Sequence, residues 1–243
     1  YAGHGWEVLD VSVSACGNYF MSGGADRTAV LWDVATGKVI KRLAGHVSRV
    51  NAVLCMPEKT DILLTGSFDR TVRVWDKRGS RSPVQTLEGA QDSVESVDVR
   101  LPFITVASAD GLVRTYDIRK DMLHCDAVGF CDISKSTKQY EAVMRVRLGQ
   151  DGSYYAASTI TGQVKLVDLT DGTILHSLVF DRNEGRIVVG GADGKVYTFD
   201  TISGSKEVIM DLTSPVLAMD YNKKRNLLVV GCLNGDTLVK ALP

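Results

Sequence analysis

A histidine, a hydroxyl residue and an aspartate occur in this 243-residue sequence in a pattern that could support nucleophilic catalysis. Hydrolases activate a serine through a histidine whose second ring nitrogen binds a carboxylate. Here the set occurs twice, and a tryptophan completes each copy at the same spacing: His4, Ser22, Asp26 and Trp32, then His46, Thr65, Asp69 and Trp75. A catalytic site needs only one copy. The repetition therefore favours two buried hydrogen-bond networks that fix the local geometry.

The other residues with possible chemistry do not form a recognisable site. His124, Cys125 and Cys131 are close in sequence, but they lack the paired ligand spacing of a zinc site. Glycine-rich turns such as residues 22–24 end strands and open no helix, so they lack the amides that bind phosphate at a helix start. We therefore predict no enzyme activity, no metal and no cofactor.

The segment that must position the second network is residues 65–76, TGSFDRTVRVWD, which contains a turn and a strand of alternating valines. Related segments lie at residues 22–33, 106–117, 157–168, 189–200 and 230–241. Six copies of one strand-turn-strand unit indicate a repeat architecture.

The spacing of these units identifies the repeat. The tryptophan-equivalent positions recur on average about every 42 residues, at Trp32, Trp75, Tyr116, Val167, Phe199 and Lys240. With Gly-His before Trp-Asp, the pattern resembles the WD repeat, whose unit is a four-stranded propeller blade. We predict an all-β fold and a single WD-repeat β-propeller domain over residues 1–243.

Two features predict that parts of the propeller are absent from this sequence. Residues 1–4 match residues 43–46, where one blade closes and the next opens, so we expect an upstream blade and a seven-bladed ring. The interval from Val167 to Phe199 is shorter than the others by about a Gly-His loop and half a strand. A blade cannot lose its innermost strand without opening the ring, so a segment is expected to be missing near residues 177–180.

Composition narrows the choice of partners. A net charge of −1 gives no electrostatic reason to bind nucleic acid or an acidic membrane, and no apolar run is long enough for a membrane-spanning helix. The five scattered cysteines are odd in number and are interpreted as reduced thiols. We predict protein partners, a monomer, and a cytoplasmic or nuclear location.

The hydrogen-bond networks are expected to weaken along the chain. The third unit keeps Asp110, but it has Val106 at the hydroxyl position and lacks Gly-His, so its network should be incomplete. Later units keep fewer of the four residues, so apolar packing must replace the networks there.

One mouth of the central channel is the predicted partner-binding surface. In WD repeats the residue after the first valine of each innermost strand faces that mouth. Those positions and their aromatic and basic neighbours are Leu9, Asn51, Glu95, Met144 and Leu217, with Trp6, Phe68 and Arg49. Clusters of aromatic, methionine and arginine side chains are typical of protein interfaces. The alternative is that these side chains pack among themselves.

A basic run after the second Trp-Asp pair carries a second hypothesis. Residues 75–78 read Trp-Asp-Lys-Arg and match the Trp-Asp-x-Arg motif by which some WD-repeat proteins dock onto a cullin-type ubiquitin ligase adaptor. Residues 116–119 are a near match, so Arg78 and Arg119 are the candidate adaptor-docking residues. The alternative is a solvated turn.

Several stretches are similar to one family of WD-repeat proteins. YAGHGWEVLD, GGADRTAVLWDVATGKVI, ILLTGSFDRTVRVWD, SRSPVQTLEGAQDSVESV and ASADGLVRTYDIR resemble the mitogen-activated protein kinase organizer, a scaffold whose relatives are also associated with the spliceosome. The resemblance is close over residues 1–119. It implies a seven-bladed propeller without catalytic activity that holds signalling or splicing proteins together, with the ligase substrate receptor as the alternative function.

Overall fold

A computed structural model describes residues 2–57, 61–79, 81–118, 125–129, 140–149, 154–160, 164–169, 174–176, 186–190, 194–200, 205–214, 216–222 and 227–241. These residues form β-strands joined by turns and bends. Within those ranges, no helix is long and apolar enough to cross a membrane. The predicted all-β fold is confirmed.

The first two sheets are antiparallel and follow the chain strand by strand. The first contains β1 (Val8–Val13), β2 (Tyr19–Gly24), β3 (Thr28–Asp33) and β4 (Val39–Ala44). The second contains β5 (Val50–Cys55), β6 (Ile62–Ser67), β7 (Val72–Asp76) and β8 (Gln85–Leu87). Each sheet corresponds to one of the predicted units and is called a blade below.

The third and fourth blades also have four strands each. They contain β9 (Val94–Arg100), β10 (Phe103–Ser108), β11 (Leu112–Asp117) and β12 (Cys125–Gly129), then β13 (Val143–Leu148), β14 (Tyr154–Thr159), β15 (Val164–Asp168) and β16 (Ile174–His176). The described strands of the fifth and sixth blades are β17 (Arg186–Gly190), β18 (Lys195–Asp200) and β19 (Lys206–Asp211), then β20 (Val216–Asn222), β21 (Leu227–Cys232) and β22 (Thr237–Ala241). The six sheets match the six sequence units.

The chain divides into two compact units. The first comprises residues 1–161 and 168–173, and the second comprises residues 162–167 and 174–243. The single propeller domain, the seven-bladed ring and the upstream blade stay predictions. The segment near residues 177–180 lies outside the described residues.

Packing between consecutive blades explains why the sequence shows so little strict alternation. Leu31 of β3, Leu63 of β6 and Trp75 of β7 belong to one buried cluster, which joins the first two blades. A second cluster joins the second and third blades and includes Leu64 and Ile104. Strands packed on both faces are apolar on both faces, and β5 is buried at every residue. These packed blades form the frame that holds the loops and polar networks in place.

Candidate functional site

The first hydrogen-bond network joins the loop before β1 to the body of the first blade. The Trp32 indole N–H donates to Ser22 Oγ at 2.8 Å, and Ser22 Oγ lies 2.7 Å from His4 Nε2. His4 Nδ1 lies 2.9 Å from the Asp26 carboxylate, which also accepts the backbone N–H of Gly5. All four predicted residues are brought together.

The second blade repeats this geometry. Trp75 Nε1–H donates to Thr65 Oγ1 at 2.9 Å, Thr65 Oγ1 lies 2.7 Å from His46 Nε2, and His46 Nδ1 lies 2.8 Å from Asp69 Oδ2. The hydroxyl accepts from the indole, so it donates its own proton to the imidazole, and the other ring nitrogen donates to the carboxylate. Each hydrogen bond of this network is therefore donated in the direction from Trp75 towards Asp69.

Electrostatics in the second network favour a neutral histidine beside a carboxylate. Burial lowers the pKa of His46 below its ordinary value of 6.5, because desolvation of the charged ring outweighs its attraction to Asp69. Burial alone would raise the pKa of Asp69, but hydrogen bonds from Thr71 and His46 outweigh burial and lower it. The pKa of Asp26 is lowered in the same way, with hydrogen bonds from Thr28 and His4 outweighing burial.

These networks are poorly suited to nucleophilic chemistry. Ser22 and Thr65 are buried, and each hydroxyl is already bonded to both an indole and an imidazole. A nucleophile must reach a substrate carbonyl, whereas these oxygens are enclosed by their own blade. What the arrangement can do is fix the loop before each innermost strand against the turn that follows the second strand.

The third blade replaces the histidine with an arginine that sequence analysis missed. Arg114 Nη2 lies 2.9 Å from Asp110 Oδ2, and Arg114 is buried whereas Asp110 is partly buried. Asp110 also accepts the backbone N–H of Gln91, as Asp69 accepts that of Val47. The third blade lacks the histidine and the hydroxyl of the four-residue network, as expected, and an ion pair with Arg114 holds its turn aspartate instead. The signal was the arginine four residues after the turn aspartate.

Two further aspartates that the sequence analysis did not select connect neighbouring innermost strands. Asp10 of β1 accepts the Val53 N–H at 2.9 Å, and Asp98 of β9 accepts the Leu148 N–H at 2.8 Å. Burial raises the pKa of Asp10, against the opposing effect of the Val53 hydrogen bond. A carboxylate within an otherwise apolar strand could have indicated this role.

The five residues predicted at the channel mouth share one backbone feature. The strand register shifts around each of them, so each is the extra residue of a β-bulge: Leu9, Asn51, Glu95, Met144 and Leu217. A bulge re-aims a side chain and is common beside functional sites. The bulge explains why the side chain at this position is aimed differently from the other side chains of its strand.

The side chains at these bulges have different surroundings. Leu9 is exposed, Glu95 and Met144 are half-buried, and the side chain of Leu217 lies outside the described part of the structure. Asn51 is only 8% exposed, and its amide donates to Ser93 Oγ at 2.8 Å. The predicted partner-binding role of Asn51 is therefore corrected, because its hydrogen bonds connect the second blade to the third.

The aromatic and basic neighbours provide the exposed surface. Arg49 lies over the Phe68 ring with its guanidinium carbon 4.7 Å from the ring centroid, and the Phe68 N–H donates to the Arg49 carbonyl. Phe68 is 46% exposed and Val47, in the same loop as Arg49, is 72% exposed. We call Val47, Arg49 and Phe68 the Phe68 patch. Trp6, in the equivalent loop of the first blade, is 74% exposed.

The Trp-Asp-x-Arg motif lies where β7 ends. Arg78 has a side chain that is 73% exposed, with Nε 3.2 Å from Asp61 Oδ2, and its backbone N–H donates to Asp76. Arg119 lies outside the described residues, as do His124 and Cys131.

The described cysteines are free thiols: Cys16, Cys55 and Cys232. Burial raises the pKa of Cys55 to about 11, which suits a packing role. In exposed Cys16, a hydrogen bond from Ser14 lowers the pKa. No cluster of possible metal ligands is found among the residues that the structure describes.

Comparison with known proteins identifies the repeats. The family model "WD domain, G-beta repeat" matches residues 1–33 and 37–76, which contain both hydrogen-bond networks. The chain is 25% identical to a WD repeat domain-containing protein 83 homolog of Dictyostelium discoideum over 83% of the chain and 71% of that protein. It is 37% identical to an uncharacterized WD repeat-containing protein of Schizosaccharomyces pombe, over 67% of the chain and 56% of that protein.

The name of a third relative refers to pre-mRNA processing. The chain is 24% identical to this relative, Pre-mRNA-processing factor 19 of Oryza sativa, over 97% of the chain and 48% of that protein. The chain thus spans from about half to about seven-tenths of these relatives' lengths. WD40 repeats are present over residues 1–33 and 37–76, which contain β1 to β7.

Proposed function

We propose that this WD40-repeat protein is a non-catalytic scaffold that assembles mitogen-activated protein kinase modules, splicing complexes or both. Proteins with WD repeats generally act in protein–protein interaction. The resemblance to the mitogen-activated protein kinase organizer supports kinase partners, and the similarity to Pre-mRNA-processing factor 19 supports splicing partners. The single propeller domain and a cytoplasmic or nuclear location belong to the same proposal, as do a monomeric state and the lack of a cofactor.

The observation that carries this proposal is the Phe68 patch. Exposed aromatic rings beside arginine are typical of the few residues that dominate binding energy at protein interfaces. The Phe68 ring is held in place by Arg49 above it and by its own backbone hydrogen bond, so little conformational entropy would be lost when a partner binds. The packed second blade supplies a rigid base for this surface.

Backbone strain beside the patch supports a functional role. Arg70, two residues after Phe68, is in the left-handed region with φ 70°, and Arg27 in the first blade has φ 64°. The equivalent positions of the third, fifth and sixth blades are glycines, which adopt such angles at little cost: Gly111, Gly194 and Gly235. We infer that Arg70 occupies this strained position because its exposed side chain contacts the partner.

The charge of the patch defines the chemistry of its partner. Arg49 and Arg70 are exposed cations, whereas Asp69 between them is hydrogen-bonded to His46 and Thr71. The surface therefore offers two positive charges around apolar Phe68 and Val47. It fits a partner segment that combines an apolar side chain with neighbouring carboxylates.

Affinity purification from cell extract, with bound proteins identified by mass spectrometry, tests the proposal. We expect the parent to recover kinase-module or splicing proteins, and Phe68→Ala to recover much less of them. Val208→Ala is the matched control, because Val208 is also an exposed apolar residue but lies on β19. Recovery of neither protein class by the parent would contradict the specific assignment.

A substrate receptor of a cullin-type ubiquitin ligase is the second candidate function. It is favoured by the exposed side chain of Arg78 at the end of the Trp-Asp-Lys-Arg motif. The test is binding to the purified cullin adaptor before and after the double change Arg78→Ala and Arg119→Ala. Unchanged binding of the double variant, or no binding by the parent, would rule out this function.

A further inference from the structure

We propose that Ser82 is a phosphorylation site for a proline-directed serine/threonine kinase. Ser82 precedes Pro83 in the loop between β7 and β8, and Ser82 is exposed. Proline has no backbone N–H to donate. A kinase whose binding site offers no hydrogen-bond acceptor to the residue after the serine therefore prefers proline there. This inference does not depend on the scaffold assignment, because any kinase of this class could act on the site.

The structure distinguishes between two serine-proline pairs. The other pair is Ser214 with Pro215. Ser214 is half-buried, and its Oγ accepts the backbone N–H of Asn234 at 3.2 Å, so it holds the turn before β22. Ser82 is more exposed than Ser214 in the folded chain, so a kinase reaches Ser82 more readily. The sequence alone does not distinguish the two serines, because each precedes a proline.

The loop that carries Ser82 is held at both ends but exposed between them. The Lys41 ammonium donates to the carbonyls of Asp76 and Gly79 at 3.0 and 2.8 Å. The Val84 N–H donates to the Val74 carbonyl at 2.8 Å, where the next strand begins. Arg81 and Ser82 lie between these anchors and are exposed. A kinase can therefore bind the segment around Ser82 without disrupting the core of the second blade.

The reaction joins Ser82 Oγ to the γ-phosphorus of ATP. The new O–P bond forms as the bond from the γ-phosphorus to the bridging β,γ-oxygen breaks, ADP leaves, and the hydroxyl proton passes to the kinase's catalytic aspartate. The product carries about 1.5 to 2 negative charges in a loop with the exposed cations Arg78 and Arg81.

The test is phosphorylation of the folded full chain by a purified mitogen-activated protein kinase with Mg²⁺ and ATP, mapped by mass spectrometry. We expect one main phosphate at Ser82, its loss in Ser82→Ala, and a strong reduction in Pro83→Ala, which keeps the hydroxyl. Both changes lie in an exposed loop outside the core. Ser214→Ala is the matched control and should be modified at the parent's rate.

Two results would overturn the proposal. One is unchanged phosphate incorporation in Ser82→Ala. The other is modification of Ser214 at a rate similar to that of Ser82 in the folded chain. Modification of Ser82 that persists in Pro83→Ala would show that Pro83 is not recognised, so the kinase class would be wrong.

Discussion

Arg114 binds Asp110 in the third blade at 2.9 Å, in the place where a histidine binds the turn aspartate in the first two blades. The second blade has an arginine at the equivalent position, Arg73, but its aspartate is occupied by His46. Losing the histidine therefore did not leave the third-blade aspartate without a partner. The turn aspartate is thus bound by a histidine in the first two blades and by an arginine in the third.

The first prediction concerns this ion pair. Arg114→Met should lower the free energy of unfolding by about 1–3 kcal/mol, because the partly buried Asp110 carboxylate would lose its cationic partner and keep only its backbone N–H donors. Denaturant unfolding measures the loss. In the double variant with Asp110→Asn most of the stability should return, and a loss below about 1 kcal/mol in the single variant would contradict this role of the ion pair.

The second prediction concerns the indole hydrogen bonds. Trp75→Phe keeps most of the ring packing but removes the donor to buried Thr65 Oγ1, so it should lower the free energy of unfolding by about 1–3 kcal/mol. Trp32→Phe removes the equivalent donor to Ser22 and should cost a similar amount. A Trp75→Phe protein as stable as the parent would show that the network does not form in solution.

The third prediction is a pH dependence. The pKa of His46 is lowered by burial, so the unfolded chain, with the ordinary value of 6.5, takes up a proton before the folded chain does as the pH falls. The contribution of His46 to stability is present above pH 6.5 and is lost as the pH falls through the lowered pKa. Chemical unfolding from pH 7.5 to 5 should therefore show a smaller loss of stability in His46→Gln than in the parent. An equal dependence of the free energy of unfolding on pH in the two proteins would contradict this role of His46.

The fourth prediction separates stability from binding at the strained turn. Arg70→Gly relieves the left-handed backbone, so it should leave the free energy of unfolding unchanged or raise it by up to about 1 kcal/mol. The same change removes a cation beside Phe68 and should weaken partner binding. Thermal unfolding and a binding titration on one preparation measure both effects. Arg70→Gly with unaltered partner affinity would remove the functional explanation for the strain.

The repeat pattern was enough to predict the fold, because each blade needs the same turn residues and the same apolar strands. The predicted unit over residues 65–76 spans the end of β6, the turn that follows it and β7. Single replacements were harder to anticipate. The Arg114–Asp110 spacing was a local signal that the repeat pattern did not use, whereas Asn51 is buried by the neighbouring blade, which the local pattern does not specify.

The candidate surface was predicted in part for a similar reason. Spacing alone selected the five bulge positions, because the bulge recurs with the repeat. Whether a bulge residue is exposed depends on the next blade, which one unit of sequence does not specify. The difference in exposure between Ser82 and Ser214 likewise depends on the fold, because each serine precedes a proline in the sequence.

The most direct test of the scaffold account is the dissociation constant of a purified kinase-module or splicing partner for the parent, Phe68→Ala and Val208→Ala. The account predicts binding about tenfold or more weaker for Phe68→Ala, a change of about 1.4 kcal/mol, and parental binding for Val208→Ala. Equal dissociation constants for all three proteins would contradict the claim that the Phe68 patch holds the partner.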